Sequence, residues 1–139
     1  MTVTEEFEAA IAAKLKGDIT DVEVDVVPDN VSSYVLKHPV GALLVQYARS
    51  SYTAPRALNS ISQTRSMRFS VFVMMRSLRR DDKGAYAKID QTLGILTGFQ
   101  PRGARKMYPL SDRFVSEQSG IWIYEMVFEL ETIHEEVFE

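Results

Sequence analysis

The chain has 139 residues, 45% hydrophobic and 25% charged, with a formal net charge of -3 and no cysteine. That length favours one domain, residues 1–139, whose core needs no covalent staple, and the missing cysteines exclude disulfides, thiolate metal sites and cysteine nucleophiles. No apolar window is long enough to cross a bilayer, and the opening Met-Thr-Val-Thr-Glu-Glu lacks the basic flank and apolar run of a secretory signal.

Charge is segregated along the chain. Residues 1–36 carry two Lys/Arg against eight Asp/Glu, residues 37–106 thirteen against three, and residues 107–139 one against eight. A basic middle between two acidic ends can pair within the fold, pair between copies, or bind a polyanion.

Thr2 and Glu5 form a Thr-x-x-Glu capping box, and Phe7, Ile11 and Leu15 recur every four residues behind it. The pattern predicts an amphipathic helix over Thr4–Lys16, stopped by Gly17. Val22, Val24 and Val26 then alternate with Glu23 and Asp25, as in a short half-exposed strand ended by Pro28-Asp29-Asn30. Val31–Pro39 reads as either a helical turn or an irregular covering segment. Val40–Tyr47 is apolar on both faces, as expected of a strand inside a sheet. Ala48–Ser60 is small, polar and without period, and reads as a long surface loop.

A long strand is expected over Ile61–Leu78, with Met67, Phe69, Val71, Val73 and Met75 on one face and a bulge near its start. After the Arg79–Gly84 turn, in which Asp81 or Asp82 can cap a helix, Ala85, Ile89, Leu93 and Leu96 mark a helical face that Gly98 ends. Gln100–Arg105 is a basic connector. A strand through Arg113, Phe114 and Val115 and a turn at Gln118-Ser119-Gly120 should follow. The closing strand, Gly120–Thr132, buries Trp122, Tyr124, Met126, Phe128 and Leu130 and turns Glu125, Glu129 and Glu131 the other way, leaving His134–Glu139 as an acidic tail that frays.

Helix, strand, strand, long strand, helix, strand, long strand describes an α+β domain. Its mixed, mainly antiparallel sheet has two long strands, and both helices pack on one face. A compact chain of this size has a diameter of roughly 37 Å, which holds about 11 residues of strand. Ile61–Leu78 and Gly120–Thr132 exceed that, so the strands bend sharply or project as a ribbon that another chain covers.

Chemistry-bearing motifs are sparse. His38 and His134 have no spaced second ligand, no phosphate loop or nucleophile elbow is present, and no serine has a recognisable base. These absences leave nucleophilic catalysis unsupported and make a zinc or iron site improbable. Trp122, Tyr124 and Phe128 could stack bases, but Met126 and Leu130 continue the same face and point to core packing. Arg65, Arg68, Arg76, Arg79 and Arg80 are the most informative polar group. They can pair with Glu125, Glu129 and Glu131 across the sheet, form a subunit or partner contact, or face a nucleic acid, since the guanidinium fork suits carboxylate and phosphate alike.

Four stretches carry a family resemblance. They are Gly41-Ala-Leu-Leu-Val-Gln-Tyr-Ala-Arg-Ser-Ser-Tyr52, the strand Arg65–Leu78, the helix end Leu93–Phe99, and Asp112-Arg-Phe-Val-Ser-Glu117 with Gly120-Ile-Trp-Ile-Tyr-Glu125. Over about Val22–Leu130 the chain resembles the small tail-terminator, or tail-completion, proteins of Mu-like phages and prophages. The resemblance implies an α+β subunit forming a homohexameric ring on the last ring of tail-tube protein. Such a ring stops tube growth and offers a surface to head-tail connector or neck proteins. It also implies a virion-tail location after assembly in the host cytoplasm, no catalysis, no cofactor and no membrane, with nucleic acid at most passing through the ring. The alternative from the residues alone is a nucleic-acid-binding accessory protein using the arginine-rich middle. If the arginines make contacts between copies, replacing Arg76, Arg79 and Arg80 with Glu should dissociate the oligomer and leave a folded subunit, as read by native mass and circular dichroism.

Overall fold

A computed structural model describes residues 1–56 and 59–138. Its elements are α1 (Val3–Asp18), β1 (Glu23–Val26), β2 (Gly41–Tyr52), β3 (Ser60–Met75), α2 (Ala85–Leu96), β4 (Tyr108–Gln118) and β5 (Ile121–Val137). Short 3-10 turns lie at Val31–Ser33 and Asp81–Lys83. The strands form one sheet in the order β1-β2-β3-β5-β4, with β1 and β2 parallel and every other pair antiparallel. The molecule is a single α+β domain with a mixed, mainly antiparallel sheet.

The capping box forms as its residues dictate: the Thr2 hydroxyl accepts from the Glu5 amide, and Glu5 returns a bond to the Thr2 amide. Gly17 does not stop α1, which continues to Asp18 and ends when the Ile19 amide bonds the Leu15 carbonyl. Phe7, Ile11 and Leu15 are buried on one sheet face with Met67, Phe69, Val71, Val73 and Met75 of β3 and Met126, Phe128 and Leu130 of β5. Ala85 and Leu96 of α2 join the same cluster, so both helices cover one face.

Parallel neighbours need a long crossover. Residues 27–40 supply it, passing over the opposite face, where Val27 and Tyr34 meet Leu44, Phe72, Met74 and Ile123 around a groove of about 360 Å³. Arg76 anchors this crossover by donating to the carbonyls of Leu36 and His38, each at 2.9 Å. At the other end of the sheet, Ser119 and Gly120 have φ of +53° and +80°. Positive φ at both positions is what a two-residue hairpin turn requires, and it fixes the register of β4 on β5.

Several boundaries differ from the sequence reading. Ala48–Tyr52 belongs to β2 rather than to a loop, and the part of that stretch at Ala57 and Leu58 lies outside the described residues. The bulge lies on β2, where Ala48 is the extra residue between the pairs Tyr47↔Phe69 and Arg49↔Arg68, and not near the start of β3. Met75, not Leu78, ends β3. Asp81 and Asp82 are taken up by the 3-10 turn, so α2 begins at Gly84 without a side-chain cap. His134–Val137 does not fray but pairs with Ser60–Gln63 of β3. Pairing fixes the tail because β3 begins earlier than the apolar alternation signals.

The buried stripe of α2 contains Lys88, at 1% exposure, beside Ala85, Thr92 and Leu96. Its ammonium donates to both carboxylate oxygens of Asp21 at 2.8 Å and to Gln91 at 3.1 Å, tying α2 to the residue that precedes β1. Burial works to raise the Asp21 carboxyl, but the bonded Lys88 ammonium outweighs it and holds the group below the usual carboxylate range. Asp21→Ala strands a buried cation and should lower the urea midpoint by the equivalent of about 3 kcal/mol, whereas Lys88→Met should cost about 1 kcal/mol or less. A carboxyl depressed by folding stabilises above its unfolded value of about 3.9 and loses that contribution as pH falls through the folded value. The gap between the unaltered chain and Lys88→Met should therefore narrow below about pH 4 in the same denaturation series.

Candidate functional site

Residues of β5 with odd numbers point away from the helices, and this open face gathers Arg68, Glu125, Glu129 and Glu131, half of the charged side chains singled out in the sequence. Arg68 stands directly opposite Glu129 in the β3–β5 register and donates to it at 3.2 Å. Tyr108 of β4 donates to the second oxygen of the same carboxylate. Two rows further, Glu125 accepts from Arg113 at 2.8 Å and from Ser70 at 2.6 Å. Glu131 lies 4.0 Å from Arg105, at the margin of an ion pair and in water. The hydrogen bond to Glu129, together with burial and the surrounding negative charge, pushes the Tyr108 phenol up to about 12.

The predicted arginine group therefore splits into three places. Arg68 alone meets one of the predicted glutamates. Arg65 lies on the helix side near the end of β2, bonded to the Ser50 hydroxyl at 3.0 Å and set over the rings of Tyr47 and Tyr52. Arg76, Arg79 and Arg80 sit past the far end of β3, with Arg76 holding the crossover and Arg79 over the Tyr86 ring. Arg79 and Arg80 consequently probe a subunit contact more cleanly than Arg76, whose reversal also breaks that anchor.

Trp122 and Tyr124 are half-buried against Phe114 on the covered face, and Phe128 is fully buried, so their role is core packing. His38 accepts from the amides of Val40 and Gly41, a turn role. Among the described residues, no group of three or more His, Cys, Asp or Glu side chains is placed to hold a metal ion. No helix of the described residues is long and apolar enough to cross a membrane.

The feature without an internal explanation is an arm. Beyond Met67 and Leu130, β3 and β5 continue with the end of β2 past the helical layer, and Tyr52, Ile133, Val137 and Phe138 keep between 51% and 66% of their surface exposed. Strand length pointed to this end of the sheet, where three strands rather than two run on. The sequence signal for it was strand length; its third strand was hidden because Ala48–Tyr52 lacks apolar alternation.

The model of the Gp37 protein family matches residues 11–137. The chain belongs to the Gp37 protein family. No curated protein matches this Gp37 family chain. Among solved structures it is similar to a chain in the virion of a native gene transfer agent particle, at 14% identity and a TM-score of 0.58, with 96% of this chain and 100% of that chain covered. That likeness shows a shared fold across the whole Gp37 domain.

The Tyr108–Glu129 contact yields a spectroscopic check. In an ultraviolet titration Tyr108 should ionise at about 12, and Glu129→Gln should bring it back towards the ordinary value of about 10. Tyr34, which burial and the nearby Glu23 push up to about 12, should not move and serves as the internal control. A tyrosine raised by folding stabilises fully below its unfolded value of about 10 and loses that contribution as pH rises through the folded one.

Proposed function

We propose that this Gp37 family protein is a non-enzymatic structural component of a phage or phage-like virion, acting as a tail terminator. In this reading copies of the chain form a ring, a hexamer, on the end of a tail tube. The ring stops polymerisation and presents a surface to head-tail connector or neck proteins, after assembly in the host cytoplasm. Its partners are further copies of itself and the tail-tube protein.

The observation that carries the reading is the arm. Its exposed apolar side chains and strand edges are a liability for a solitary domain, and assembly removes it. Two further findings support it: the family match over residues 11–137, and a fold shared end to end with a chain of a gene transfer agent virion. Segregated charge suits a head-to-tail contact, the kind that closes into a ring when the rotation between copies permits. The nucleic-acid alternative draws less support, because Arg65, Arg68, Arg76, Arg79 and Arg80 lie in three separate places instead of one strip.

Native mass spectrometry at low salt should show a closed oligomer, six copies in the terminator reading, and electron microscopy should show a ring with a central hole. A strict monomer at high concentration overturns the reading. Binding to DNA that weakens steeply with salt would instead favour the accessory-protein alternative.

A further inference from the structure

The arm has two open edges of opposite charge. On β4's side, β5 is paired only as far as Glu129, after which the Arg105 amide bonds the Glu131 carbonyl. Bonding direction alternates along a strand, so Ile133, Glu135 and Val137 turn their amides and carbonyls to this edge, and Thr132, His134 and Glu136 serve β3. On the other side, β1 pairs with β2 only to Val45, and Glu8 takes the Tyr47 amide at 2.7 Å. Past the bulge at Ala48 the alternation reverses. Thr53 bonds Thr64 on the β3 side, and Ser50 and Tyr52 face outward.

These edges lack the proline and bulges that protect β4. The outer strand β4 carries Pro109 and two bulges, devices that block pairing with another chain. The free lengths 133–137 of β5 and 49–52 of β2 carry neither proline nor bulge. The β5 edge is acidic, with Glu131, Glu135 and Glu136, and the β2 edge is basic, with Arg49 beside Arg65 and Arg68. Arg49 stands directly opposite Arg68, a like-charge pair that is destabilising on its own. Arg68 has Glu129, but among the described residues Arg49 has no ion pair, and neither has Glu135. Both are exposed on the open face.

We propose that the β5 edge of one copy pairs in parallel with the β2 edge of the next, setting Glu135 beside Arg49 across the contact. Parallel pairing is selected by the backbone. In it a residue bonding toward the joint sits opposite one bonding away from it, with both side chains on the same face. Glu135 bonds outward, Arg49 bonds toward β3, and both side chains lie on the open face. An antiparallel joint would turn the second copy over and bring Glu135 opposite Ser50 or Tyr52. Each copy gives one edge and receives the other, so the contact is head-to-tail and propagates around a ring. This contact rests on the assembly reading above and specifies which surfaces make it.

The test uses the full chain with Arg49→Glu, Glu135→Arg and both together, sized by native mass spectrometry and checked for folding by circular dichroism. Each single variant should stay folded and lose the oligomer at concentrations where the unaltered chain assembles, and the double variant should regain it. In hydrogen exchange, the amides of Ser50, Tyr52, Glu135 and Val137 should become protected on assembly. Single variants that assemble normally, a folded double variant that does not recover, or a species limited to two copies through β5–β5 pairing each overturn the contact alone. A monomeric unaltered chain overturns the assembly reading and the contact with it.

Discussion

A β-strand advances about 3.3 Å per residue and an α-helix about 1.5 Å, and that difference governs the shape of this molecule. The 16 residues of β3 and 17 of β5 extend for more than about 50 Å. The 16 residues of α1 and 12 of α2 reach only about 24 and 18 Å. Two helices of those lengths cannot cover such strands whichever way they cross them. The core accordingly stops at Met67 on β3 and Leu130 on β5, the Gly103–Arg105 connector reaches Glu131 and Thr132, and the exposed side chains beyond are left to water or to another chain.

The bulge at Ala48 gives the arm its character. Before it, Leu43, Val45 and Tyr47 share the helix side of β2 with Phe69 and Val71; after it, Ser50 and Tyr52 take that side and Arg49 turns to the open face. The one-residue insertion keeps β2 paired with β3 but changes which backbone groups look outward. Glu8 of α1 accepts the Tyr47 amide just before the change, so the helical layer seals the edge of β2 up to the bulge and no further. The end of the helical cover and the start of the free edge therefore coincide.

The sequence made the core legible because burial is written in periodicity. Phe7, Ile11 and Leu15, the five alternate residues of β3 and those of β5 are buried as their spacing demands. It was silent where a residue's role depends on a partner far along the chain. Lys88 looks like an exposed helical lysine until Asp21, 67 positions away, is brought to it. The stripe of α2 is rotated accordingly, leaving Ile89 and Leu93 only partly buried. Arg76 looked like a member of a charged stripe, but its donors go to the carbonyls of the parallel crossover, a connection whose path no periodicity encodes. His134–Val137 looked like a tail because charge there masks a strand that backbone pairing and the His134 ring against Tyr52 sustain.

Charge on the open face is mostly spent within the chain, and this decides which surface remains for a partner. Glu129 is engaged by Arg68 and Tyr108, and Glu125 by Arg113 and Ser70, with the Glu129 and Glu125 side chains only 12% and 16% exposed. Breaking such bonds to pair with another protein would leave buried acceptors unsatisfied, a cost of about 1–3 kcal/mol for each group. Arg49 and Glu135, exposed and on opposite margins of the arm, can change partner without that cost. Backbone groups reinforce the division: in the middle of the sheet they are consumed by ladders on both sides, whereas along 49–52 and 133–137 one side of each strand still faces solvent. The closed polar network thus stiffens the face, and assembly falls to the edges of the arm.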